Sequence, residues 1–165
     1  MLASLKQKAA PLSEPGRITH VLVIVPVQYL SKKSLDKVGF LGRDQLKSLL
    51  SRRSMEPGEI GHTPVSANLA SGALCAWSPV DMNKSPFEQH TSIRKALQLL
   101  LDEKPSEIHL AVYGDQDERH SFAQLGIYTA WVNGAALPLR KTGKNAERNC
   151  RRRLGFCRIA ITSRG

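Results

Sequence analysis

The sequence predicts an α/β fold: a three-layer arrangement in which a mostly parallel β-sheet carries helices on both faces and includes one β-hairpin. Three observations predict it. Strand-type and helix-type segments alternate along 18–132 in the order strand, helix, strand, strand, helix, strand, helix, the pattern of crossover connections between parallel strands. The first strand is apolar on both faces, as a strand covered from two sides must be. Only one pair of strands lies close enough in sequence to form a hairpin.

Ile18 to Val27 (ITHVLVIVPV) is short, β-branched and continuously apolar from Val21 to Val25, which makes it a central strand. From Leu35 to Arg53, Val38, Leu41, Leu46, Leu49 and Leu50 mark one helix or a broken pair, with Gly39 and Gly42 weakening its first half and Arg52 and Arg53 suiting a carboxyl end. Glu56-Pro57-Gly58 forces a turn. Thr63–Leu69 and Ala73–Trp77, joined through Ser71-Gly72, read as the hairpin. Ser85-Pro86 opens the clearest helix, with Glu88 three residues after the cap. Ile93, Ala96, Leu97, Leu100 and Leu101 form its apolar stripe, and Pro105 lies beyond its end. Glu107 to Tyr113 alternates as a strand and closes at Gly114; Asp117 to Val132 is a second strong helix, stopped by Asn133-Gly134. The domain is thus expected over 18–139, with a flexible lead at 1–17 and a basic tail or truncated linker at 140–165.

Composition bounds the rest. The chain has 165 residues, 41% hydrophobic and 23% charged, ordinary values for a globular domain. At this size about 70% of the unfolded surface is buried, so a single core suffices. Its formal net charge of +10 is concentrated in one place: 140–165 holds nine Lys and Arg against Glu147 alone, leaving the preceding body at +2. No apolar run approaches the ~20 residues of a membrane-spanning helix. Cys75, Cys150 and Cys157 are odd in number, and no secretory signal is recognisable ahead of them, so a cytoplasmic setting with free thiols is expected, Cys75 serving as a small buried hydrophobe.

Familiar catalytic patterns are missing. The segment around Gly143-Lys144 lacks both the earlier glycine and the Ser/Thr of a phosphate loop, since Asn145 stands there. No G-x-G-x-x-G follows the first strand, and neither G-x-S-x-G nor H-E-x-x-H occurs. His20, His62, His90, His109 and His120 have no ligand spacing and read as surface or hydrogen-bonded side chains. Cys150 and Cys157 are too far apart for a zinc knuckle. Asp115, Asp117 and Glu118 cluster where a helix dipole favours carboxylates.

Two features remain. The last helix carries Phe122, Ala123, Leu125, Ile127, Tyr128, Ala130, Trp131 and Val132 nearly all round its cylinder, so it is either interior or meets a partner through Tyr128, Trp131 and Val132. The tail, through Arg148, Arg151, Arg152 and Arg153, could attract phosphate backbones, although Phe156 is its only stacking ring; a solvated tail is the other reading.

Together, FEQHTSIRKALQLLLDEKPSEIHLAVYG and HSFAQLGIYTAWVNGAALPLRK, with HVLVIVP, LLSRR and GALCAW before them in order, resemble the N-terminal domain of the leucyl (cytosol) aminopeptidase family over about 18–142. The resemblance implies a macro-domain-like α/β module joined to a larger catalytic domain, within an assembly of six subunits. The family removes N-terminal amino acids from peptides with two divalent metals, zinc or manganese, which activate a bridging water. Its metal ligands and catalytic residues belong to the catalytic domain, in motifs such as NTDAEGR that nothing in this sequence matches. No catalytic or metal-binding residue, and no cofactor, is therefore assigned to this chain.

The resemblance ends near Asn149, and the expectation is of a natural or engineered fragment, truncated for example by a frameshift, or else of a self-sufficient module with its own basic tail. The implied role is structural, in assembly or regulation, with the family's catalytic domain and sister subunits as partners and no membrane. Two other readings stand beside it: a stand-alone nucleic-acid-binding module using the tail, and a macro-like module for a nucleotide-sugar ligand, the latter weakened by the isolated positions of its glycines.

Overall fold

The computed structural model describes residues 4–7, 18–134 and 158–163. Six strands form one sheet in the order β1-β6-β5-β2-β4-β3. In sequence they are β1 (Ser4–Gln7), β2 (His20–Pro26), β3 (Val65–Asn68), β4 (Leu74–Val80), β5 (Glu107–Val112) and β6 (Arg158–Ser163). Every pairing is parallel except the β3–β4 hairpin. Helices α1 (Lys32–Leu35) and α2 (Arg43–Arg53) precede the hairpin, α3 (Pro86–Leu101) joins β4 to β5, and α4 (Gln116–Gly134) follows β5.

β2 pairs with β4 on one side and β5 on the other, and its side chains are divided between two cores by the period-2 alternation of a strand. Leu22 and Ile24 pack with Ile93, Leu97 and Leu100 of α3 and Phe122 of α4. Val21, Val23 and Val25 pack on the opposite face with Leu46, Leu49 and Leu50 of α2 and with Trp77. This double cover accounts for the unbroken apolar run.

The segment read as one helix or a broken pair is broken. Gly42 adopts φ +73° as the residue capping α2, and a Cβ there would lie 2.7 Å from both Leu69 Cδ2 and Trp77 Cζ2. The loop before it is anchored at Leu41, whose carbonyl accepts from Trp77 Nε1 (3.1 Å) and whose N–H donates to the Tyr113 hydroxyl (3.0 Å).

The outer strands correct the boundaries expected from sequence. The lead at 1–17 and the tail at 140–165 each contribute a strand: β1 pairs with β6 in the register Ser4↔Arg158, and β6 pairs with β5 in the register Glu107↔Arg158. Without β6 that edge of β5 would present an unpaired row of backbone donors and acceptors, and satisfying them outweighs the polar, basic composition of the segment.

Candidate functional site

Helix α4 is built with two apolar faces. Phe122, Thr129 and Ala130 are buried. Gly126 brings the backbone so close to the sheet that a Cβ would stand 2.7 Å from Ile24 Cδ1. Tyr128, Trp131 and Val132 fall within about 100° of arc on the other side at 100° per residue, and they are 56%, 46% and 46% exposed. Of the two readings left open by the sequence, interior burial holds for one face of this helix, while the face carrying Tyr128, Trp131 and Val132 is exposed.

Packing against α3 fixes the open face. His90 Nδ1 is hydrogen-bonded to Thr129 Oγ1 at 2.8 Å, and the His90 ring lies 5.1 Å from that of Tyr128 at an interplanar angle of 60°. Asn133 Nδ2 donates to the Thr129 carbonyl at 2.7 Å. The last turns of α4 are thereby held beside the first turns of α3, with Tyr128, Trp131 and Val132 presented from a rigid support.

In a doubly wound sheet, ligands favour the carboxyl-end crevice where chain connections diverge, here between β2 and β5. There the described loops after β2 and β5 contact one another. Gly114 (φ +132°) packs so that a Cβ would lie 3.2 Å from Pro26 Cγ, and Glu118 Oε1 accepts from Gln28 Nε2 at 2.7 Å. The amino end of α4 is closed by its own carboxylates: Asp115 Oδ1 accepts from the Glu118 N–H (2.9 Å) and Glu118 Oε2 from the Asp115 N–H (3.0 Å). Carboxylates already occupy the positive end of the helix dipole, which leaves an unfavourable place for a phosphate.

Among the described residues an open cleft lies one strand further along, beyond the ends of β2 and β4. It encloses about 300 Å³ between the 3-10 turn Pro57–Gly61, the end of β4 and one flank of α3. Sequence reasoning missed it because its walls come from three separated segments that share no spacing signal.

The other residues singled out by sequence fall apart in space. His20 is paired with Glu103 at 3.0 Å, His109 Nε2 lies 3.7 Å from Glu107 Oε1, and His120 is hydrogen-bonded to Gln124 at 3.0 Å. Cys75 is buried, and that burial pushes its thiol far above the ordinary range. Among the described residues no group of three or more His, Cys, Asp or Glu side chains is arranged to hold a metal, so a two-metal centre does not fit them. No helix among them is long and apolar enough to cross a membrane. Arg148, Arg151, Arg152 and Arg153 lie outside the described residues.

These features define an α/β domain with a covered, mostly parallel sheet and an exposed apolar helix face. No known protein family matches the sequence, and no curated protein does. Among solved structures, the fold is similar to a mutant of tomato leucine aminopeptidase, with a TM-score of 0.60 at 10% identity over 98% of this chain and 32% of that one. The chain thus spans about a third of that protein's length. A macrodomain, that of Thermus aquaticus DarG, superimposes with a TM-score of 0.47 at 8% identity, covering 97% of this chain and 98% of the other.

Proposed function

We propose that this chain is a non-catalytic module of the kind that forms the N-terminal domain of leucyl aminopeptidase-type two-metal exopeptidases, acting in structure, assembly or regulation. The observation that carries this reading is the open face of α4: three large apolar side chains, Tyr128, Trp131 and Val132, clustered on one exposed arc of a helix whose other face is already buried. Such a patch on a small domain marks a surface that meets another protein. Similarity of fold to part of a leucine aminopeptidase supports the choice of class. In this reading the peptide-cleaving chemistry and its divalent metals belong to a catalytic domain, and this module contacts that domain and sister subunits.

Catalysis is tested first. The purified chain with manganese or zinc is expected to release no leucine from leucyl amide; turnover comparable to a family enzyme would overturn the proposal. Assembly is tested by sedimentation. The chain is expected to self-associate at tens of micromolar, and Tyr128→Ser with Trp131→Ser to abolish association without changing the circular dichroism spectrum. A wild-type chain that stays monomeric to about 1 mM, where even weak specific contacts are populated, would overturn the assignment of this face to sister subunits.

A further inference from the structure

Helix α3 separates the open face of α4 from the cleft. At 100° per residue, Glu88, Ser92 and Lys95 lie on the flank of α3 opposite His90, and these three line the cleft. Its apolar wall is formed by Val27, Pro79, Val80 and Phe87. Phe87, one of these, is 79% exposed.

The polar groups of the cleft differ in how far they are engaged. Glu88 accepts from Ser85 and pairs with Lys84 at 3.4 Å; Asp81 Oδ1 accepts from both the N–H and the side-chain amide of Asn83; Ser92 donates to the Pro79 carbonyl at 2.7 Å. Lys95 is different. Among the described residues its ammonium reaches only the His62 carbonyl, at 3.4 Å, and no carboxylate lies within ion-pair distance. His62 itself is exposed and lines the same cleft. Lys84 and Lys95 are balanced by Asp81 and Glu88, so the lining holds no surplus of positive charge for a polyanion. A single negative charge delivered to Lys95 leaves the other pairs undisturbed.

We propose that this cleft binds a small amphipathic monocarboxylate: an apolar body lying against Phe87, Val27 and Pro79, with its one carboxylate on Lys95 and His62. The enclosed volume is at the lower end of the range for small-molecule sites and suits a body of about ten heavy atoms. Its location, at the carboxyl ends of β2 and β4, is on the side of the sheet where α/β proteins place ligands. The site shares no residue with the open face of α4, so this proposal and the assembly reading fail separately.

The test uses the full chain, with 4-methylpentanoate and phenylacetate as probes, their primary amides as neutral counterparts, and inorganic phosphate. Amide resonances of 58–62, 80–81 and 87–95 are expected to shift saturably with each carboxylate, with Kd on the order of 1 mM for ligands of this size. Lys95→Gln and replacement of the probe by its amide should each weaken binding about tenfold. Phe87→Ala, at an exposed position, should weaken it several-fold with the fold intact, and Lys104→Gln should leave it unchanged. The absence of saturable shifts in these segments, equal binding by wild type and Lys95→Gln, or phosphate binding as tightly as the carboxylates would each overturn the proposal.

Discussion

At Gly126 a hydrogen atom stands where any other residue would place a carbon, and the distance between α4 and the sheet depends on it. A Cβ would meet Ile24 Cδ1 at 2.7 Å and Leu110 Cδ1 at 3.4 Å, both inside a closed core where neighbouring side chains have little room to yield. Overpacking of this kind costs about 1–3 kcal/mol. Gly126→Val is therefore expected to lower the unfolding free energy by about that amount in urea titrations. Gly126→Ala should fall well short of the ~1 kcal/mol gain that an exposed helix position would show for the same change. Gly42 is constrained twice, by its left-handed backbone and by the Trp77 ring beneath it. Sequence alone marks Gly42 as a weak point in a helix and leaves Gly126 unremarked within a strong one. The role of each as a contact point needs the third dimension, because Ile24 and Trp77 are far from them along the chain.

Each of the two long helices begins in a carboxylate cap. In α3 the reciprocal pair was legible from Ser85, Pro86 and Glu88 alone, since a capping box is a three-residue signal that tertiary packing rarely overrides. The Glu88 N–H donates to Ser85 Oγ at 3.4 Å, and Glu88 Oε2 accepts from the Ser85 N–H at 3.1 Å. Removing the cap with Ser85→Ala is expected to cost about 1 kcal/mol. The bond from Ser85, with Lys84 adding to it, holds the Glu88 carboxyl below its ordinary value of 4.5. A carboxyl depressed in the folded state stabilises the fold above its unfolded pKa, and that contribution is lost as pH falls through the lower, folded value. Glu88→Gln should thus be less stable than wild type near neutrality, and the difference should shrink between about pH 5 and pH 3. Urea midpoints measured across that window check the sign. Asp36 is depressed in the same direction by its bond from Lys47, so the Glu88→Gln variant keeps a residual acid slope.

Across the whole molecule, legibility follows the range of the interactions. β2, the hairpin, α3, β5 and α4 are each specified by local periodicity and caps, and each was readable. The outer strands were not: Ser4–Gln7 is too short to show alternation, and Arg158–Ser163 sits in a segment whose composition is dominated by arginine, so only the edge they complete reveals them. The apolar character of both faces of α4 was legible because a helix apolar all round is conspicuous, whereas the cleft, assembled from a 3-10 turn, the end of β4 and one flank of α3, left no periodic trace. The same division between local and global structure governs access to Cys75. It lies in β4 between β2 and β3, fully buried, with its thiolate disfavoured by that burial. A disulfide reagent must therefore wait for the strand to open. With Cys150→Ser and Cys157→Ser to isolate it, labelling at pH 8 is expected to be slower than in the urea-unfolded chain by on the order of 10³ or more, the ratio that a marginally stable domain imposes. If release of β4 requires global unfolding, the labelling rate should climb with urea along the slope of the equilibrium transition. If instead β3, the short outer strand of the hairpin, peels away by itself, the rate should be nearly independent of urea below the transition, and the expectation that Cys75 is exposed only by global unfolding would fail.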